Sequence, residues 1–150
     1  MLPANHPARE LYDQVAETFG GTDTLFVALK TTNLYGEETL FRIHKVTEKF
    51  QNVEGVDEVT SLATADRMES EGGTLVVEEM MPKVPESEQA RQKLQEYVES
   101  REMYKGTIVS TDGQYAGFLL ELASDAQDSS VYSGVMEVIE NQPQSDQFYV

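Results

Sequence analysis

The chain has 150 residues, the length of one domain and enough to bury a core. Its 11 Lys and Arg stand against 27 Asp and Glu, a formal charge of −16, and a field of that sign repels nucleic-acid phosphates and anionic lipid. There is no cysteine, which excludes disulfides, thiolate chemistry and the usual zinc sites.

Residues 7–19 open the chain with a predicted helix, because Leu11, Val15 and Phe19 recur on one helical face before Gly20-Gly21. Residues 24–31 (TLFVALKT) are β-rich and mostly apolar, the pattern of a buried strand. A second helix is predicted over 36–53, with Leu40, Ile43, Val46, Phe50 and Val53 as its stripe and Gly55 suited to the left-handed position beyond its end. Residues 56–62 follow as a short strand. Strand, helix and strand are thus in place for a crossover unit.

Residues 63–85 read as the least regular stretch. Gly72-Gly73 marks a turn, residues 74–77 form a short strand, and Met80 and Met81 follow. A helix is predicted over 86–105 on the stripe Ala90, Leu94, Tyr97, Val98 and Tyr104. Strands at 107–111 and 114–123 flank Asp112-Gly113, a dipeptide that favours a type I′ hairpin turn. In the second of these strands Ala116, Phe118, Leu120 and Leu122 share one face. Val131, Val135, Val138 and Ile139 make a last helical stripe, and residues 148–150 open a further strand. The order of elements predicts an α+β fold: a ferredoxin-like split β-α-β sandwich, helices on one face of a largely antiparallel sheet, with an extra helical excursion.

The longest apolar runs, 25–29 and 115–120, fall short of the roughly 20 residues a membrane span needs. Residues 1–7 lack the basic start and apolar stretch of a signal peptide. If these are its natural ends, the chain reads as cytoplasmic.

Catalytic chemistry finds little footing. His6 sits in a Pro-flanked terminus, and His44 lies on an amphipathic helix with no nucleophile or orienting acid beside it. Ser133-Gly134 falls inside a helical pattern and makes no nucleophile elbow. Gly20-Gly21 and Gly72-Gly73 lack the spacing of a phosphate loop. The carboxylate pairs Glu37/Glu38, Glu69/Glu71, Glu78/Glu79 and Asp125/Asp128 read as solvated faces of an acidic chain. Phe26, Phe50, Phe118, Tyr97 and Tyr132 fit core stripes. Met80, Met81, Met103 and Tyr104 are less clearly patterned, and suit either an adaptable apolar surface or a packed interface. No catalytic, cofactor-binding or metal-binding residue is assigned, and no enzyme activity is expected.

Several segments, taken in order, resemble the first large extracytoplasmic loop of exporters of the RND (resistance–nodulation–division) superfamily, in the hydrophobe/amphiphile and MMPL-like branch. They are LPANHP at 2–7, FGGTD at 19–23, Asn33-Leu34-Tyr35 to Thr39-Leu40, Val53-Glu54-Gly55-Val56 to Val59-Thr60-Ser61-Leu62, and Lys105-Gly106-Thr107 to Asp112-Gly113. The resemblance spans roughly residues 2–125. It implies a single porter-type domain over 1–150, on the extracytoplasmic (periplasmic) face of the cell membrane and cut from a polytopic membrane protein. Its partners would be the transmembrane helices, a second porter loop and a hydrophobic or amphiphilic substrate, small molecule or lipid. It would bind no nucleic acid, and homo-oligomer formation stays open. The parent would export by secondary active transport, using ion flow through ionisable intramembrane residues, none of which lies in this chain. The competing reading is a free-standing ferredoxin-like ligand-binding or regulatory module. A small hydrolase or metal-dependent enzyme ranks third.

Overall fold

The computed structural model describes residues 24–101, 104–105, 108–110, 112–123, 128–142 and 147–149. Among them the chain folds as a mixed α+β structure of three helices, a four-stranded antiparallel sheet and a two-stranded sheet. In chain order the elements are β1 (Thr24–Lys30), α1 (Glu37–Gln51), β2 (Val56–Thr60), β3 (Asp66–Glu71), β4 (Thr74–Glu79), α2 (Glu88–Glu99), β5 (Tyr115–Leu122), α3 (Asp128–Glu140) and β6 (Gln147–Tyr149). The helix expected over 7–19, with His6, Gly20-Gly21, Met103 and Asp125, lies outside the described residues.

The four-stranded sheet has the order β2-β5-β1-β6. β1 and β2, joined through α1, flank β5. β5 and β6, joined through α3, flank β1. The register places Val27 opposite Phe118, Leu29 opposite Ala116 and Leu25 opposite Leu120. With Val59 of β2, these side chains form the face that meets the helices.

α1 covers that face with Leu40, Ile43, Val46 and Phe50, all fully buried, and α3 with Val131 and Val135. Phe50 meets Phe118 edge to face, 5.5 Å between ring centroids, the geometry that the ring quadrupoles favour. Burying each such side chain contributes roughly 1.5–3 kcal/mol. Acidic Glu37 and Glu38 in the first turn of α1 and Lys49 in the last complement its dipole. Gly55 takes the left-handed conformation, φ 92°, beyond the helix end.

The opposite face of the sheet is buried as well, through Phe26, Ala28, Tyr115 and Leu119. This explains why β1 reads as a continuous apolar run rather than an alternating one.

Four expectations need correction. Residues 66–71, read as irregular, form β3, which pairs along its length with β4. Gly72 and Gly73 both have positive φ, 58° and 83°, so the tight turn that needs two such residues is here. Asp112, in contrast, has no positive φ. Of the strand expected over 107–111, Val109 forms an isolated antiparallel bridge to Ala116 of β5, and residues 107 and 111 lie outside the described residues. Ser110 closes that loop instead: its hydroxyl takes the amides of Gln114 and Tyr115. Third, α2 stops at Glu99, capped by Ser100. Tyr104 lies in the turn beyond and is still buried. Fourth, Tyr132 is 48% exposed, because it sits one residue off the Val131–Val135 stripe and projects about 100° away from it.

Candidate functional site

His44 projects from α1 toward residues 82–86. Its Nε2 donates to the Pro82 carbonyl at 3.0 Å, and its Nδ1 lies 3.4 Å from Glu48 Oε1. Phe41, Lys45 and Val84 complete an open depression of about 810 Å³ around it. The side chains of Glu37 and Glu38 rim the same depression, but Glu37 faces Arg91 Nη1 at 3.7 Å and not His44. The imidazole is thus held between a backbone carbonyl and the Glu48 carboxylate. Among the described residues, no three of His, Asp and Glu converge to hold a metal ion.

A second open depression, about 760 Å³, runs between the C-terminal end of α1 and α3. Lys49, Asn52 and Glu54 line one wall, and Ser129, Ser133 and Glu137 the other. Its floor is set by a close approach: a Cβ on Gly134 would lie 2.7 Å from Val53 Cγ1. Ser133-Gly134 is therefore a helix-contact feature.

Three polar arrangements lie in the interior or at turns. The Thr47 hydroxyl donates to the Ile43 carbonyl at 2.6 Å and lies 2.8 Å from Ser61 Oγ, which in turn accepts the Ala63 amide. Both side chains are buried, so this pair ties α1 to the end of β2 and satisfies groups that would be costly left alone. At the β5 entry Ser110 donates to Asp112 Oδ1 at 2.6 Å. That bond, with the Gln114 amide, holds the Asp112 carboxyl below the usual carboxylate range. With the Gln114 and Tyr115 amides on the Ser110 hydroxyl, the pair locks the turn into β5. Finally, the Tyr35 hydroxyl is buried without a hydrogen-bond partner among the described residues. Burial, aided by Glu99, pushes it well above the ordinary phenol value, which keeps it protonated.

Met80 and Met81 are 3% and 1% exposed and belong to the core, so they offer no adaptable apolar surface. Apolar surface appears instead where the sequence reading placed none. Met68, Leu75 and Val77 of the β3–β4 hairpin are 39%, 65% and 54% exposed. The alternation Leu75, Val77 was visible in sequence, but its strand partner was not.

The hairpin is fastened to α2 by Tyr97. Its hydroxyl accepts the Met68 amide at 2.9 Å and donates to the Met68 carbonyl at 3.4 Å. Arg101 and Arg67 stack over its ring at 4.2 and 5.1 Å. Burial pushes the Tyr97 hydroxyl up, but hydrogen bonds from Arg101 and the Met68 amide outweigh it and leave the phenol below its ordinary value. Tyr104 extends the anchor by donating to the Asp66 carbonyl.

None of the described residues forms a helix long and apolar enough to cross a membrane. Comparison with protein-family models, curated proteins and solved structures finds no match to this chain.

Proposed function

We propose that this chain is a porter-type domain of an RND-superfamily exporter, standing on the extracytoplasmic side of the membrane and shaping the path of a hydrophobic or amphiphilic substrate. The observation that supports the reading is the strand order β2-β5-β1-β6, with β1-α1-β2 and β5-α3-β6 each split by a strand of the other unit. We read that order as a ferredoxin-like sandwich, the architecture which the ordered sequence motifs imply for such a loop, and this supports the proposal. The β3–β4 hairpin and α2 then form the excursion between its two halves.

The motif residues agree with a scaffold role. Ser61 bonds to Thr47, Leu62 is fully buried, and Asp112 closes a turn. In such a machine the chemistry of energy coupling sits in ionisable groups within the membrane segments, and the porter domain moves as a packed unit. A chain whose polar groups hold turns and helix contacts suits that division of labour.

The free-standing ligand-binding module needs a preformed apolar pocket. The two depressions beside α1 are open and rimmed by charged side chains, which favours the porter reading.

The test is the coding sequence on either side. The porter reading expects an apolar stretch of about 20 residues immediately before Leu2 and another some tens of residues after Val150. Polar, soluble flanks on both sides would remove it.

A further inference from the structure

The β3–β4 hairpin combines three features at one place. The first is an apolar stripe. Met68 lies opposite Val77 and Ser70 opposite Leu75, so Met68, Val77 and Leu75 share one face, and all three are exposed. Single exposed apolar residues are ordinary, whereas a contiguous set on one strand face marks an interaction surface.

The second feature is a free edge. The Met68 amide and carbonyl are both taken by the Tyr97 hydroxyl, so they point away from β4. Met68 and Val77 are therefore a non-hydrogen-bonded pair, and the amide and carbonyl of Val77 point away from β3. Leu75, two residues back, repeats this orientation. Among the described residues β4 pairs with no strand except β3.

The third feature is charge. Residues 66–79 carry five acids, Asp66, Glu69, Glu71, Glu78 and Glu79, against the single base Arg67. Five acids in these 14 residues is twice the density of 27 in 150. Two such hairpins meeting edge to edge would oppose like charges, which is how natural edges avoid self-pairing.

We propose that β4 is a docking edge for a basic, extended polypeptide segment whose alternate residues are apolar. The segment adds as a strand beside β4. Its main chain bonds to Leu75 and Val77, its apolar side chains cover the Met68–Val77–Leu75 stripe, and its basic side chains answer the acidic hairpin. This inference does not depend on the exporter reading.

The test uses the whole chain, isotopically labelled, and two peptides of about ten residues. One alternates Lys with Val; the other alternates Lys with Ser, keeping the charge without the apolar face. At about 50 mM salt, where charge attraction is least screened, the Lys–Val peptide is expected to shift the amides of Leu75 and Val77. It should bind about tenfold more tightly than the Lys–Ser peptide. Val77→Pro removes an outward amide without breaking a bond to β3. Leu75→Ser removes apolar surface and leaves the backbone alone. Each should weaken binding about tenfold, and Phe41→Ser, on the depression beside His44, should leave it unchanged. Equal binding of the two peptides, or binding that survives both hairpin substitutions, would overturn the proposal. So would a dimer of this chain that sediments intact and dissociates on Val77→Pro.

Discussion

The hydroxyl of Tyr97 makes two hydrogen bonds to one residue, accepting from the Met68 amide and donating to the Met68 carbonyl. A side chain on α2 thereby does for the outer edge of β3 what a neighbouring strand would do. The two-stranded sheet, marginal by itself in water, gains a third partner.

Tyr97→Phe keeps the ring under Arg101 and Arg67 and removes only the hydroxyl. Each lost hydrogen bond of this kind is worth about 0.5–1.5 kcal/mol. The loss should be local: amide exchange across residues 66–71 should accelerate, while exchange in β5 stays as it was. Unchanged exchange in β3 would show that the hairpin is held by something else.

Gly134 and Val53 set the approach of α1 and α3. Gly134→Ala gains about 1 kcal/mol of helix propensity, but its methyl meets Val53 Cγ1 at 2.7 Å. Overpacking of that kind costs about 1–3 kcal/mol. The substitution should therefore destabilise the native chain and stabilise a Val53→Ala background, a reversal of sign readable in a double-mutant cycle. Destabilisation in both backgrounds would rule out this contact as the cause.

Glu58 of β2 lies opposite Glu121 of β5. Burial first, and then Glu58, raise the Glu121 carboxyl above its usual value of 4.5. A raised folded-state value favours the fold below pH 4.5, and that contribution is lost as pH climbs through the folded value. Glu58→Gln should accordingly stabilise the fold at pH 7 by a cross-strand amount of about 0.2–1 kcal/mol, read as a higher melting temperature. The gain should shrink toward zero near pH 4. A gain independent of pH would point to some effect other than charge.

The formal charge of −16 predicts a salt response for the whole molecule. Screening shortens from about 10 Å at 0.1 M to about 3 Å at 1 M salt, so self-repulsion falls over that range. The melting temperature should rise, by about 2–4 °C for each kcal/mol relieved. A flat or falling melting curve across the titration would contradict this.

What was legible in the sequence follows physical lines. The stripe Leu40, Ile43, Val46, Phe50 and the alternation Ala116, Phe118, Leu120 are one-dimensional records of burial, and each was readable at its own period. β3 was not, because DRMESE holds one apolar residue and that residue is exposed. Its pairing is set by the Gly72-Gly73 turn and by Tyr97, 29 positions away in the chain from Met68. Met80 and Met81 were ambiguous for a related reason. They have no period of their own and enter the core because their amides bond to Ala65 and Ala63 across the hairpin base. The motif residues stood out in sequence, but their spacing could not say that Ser61 serves Thr47. The docking edge was illegible because it depends on which backbone groups of β4 are left over.

The central claim, that this domain stands outside the cytoplasm as part of a membrane exporter, has a direct measurement. The chain holds no cysteine, so one introduced thiol reports cleanly. Tyr132 is exposed on α3, and Tyr132→Cys in the full parent protein, with any other cysteines replaced, places that thiol on the surface. A membrane-impermeant maleimide added to intact cells is expected to label it, in a protein that fractionates with the membrane. Labelling only after the cells are broken open, in a protein recovered from the soluble fraction, would contradict the account.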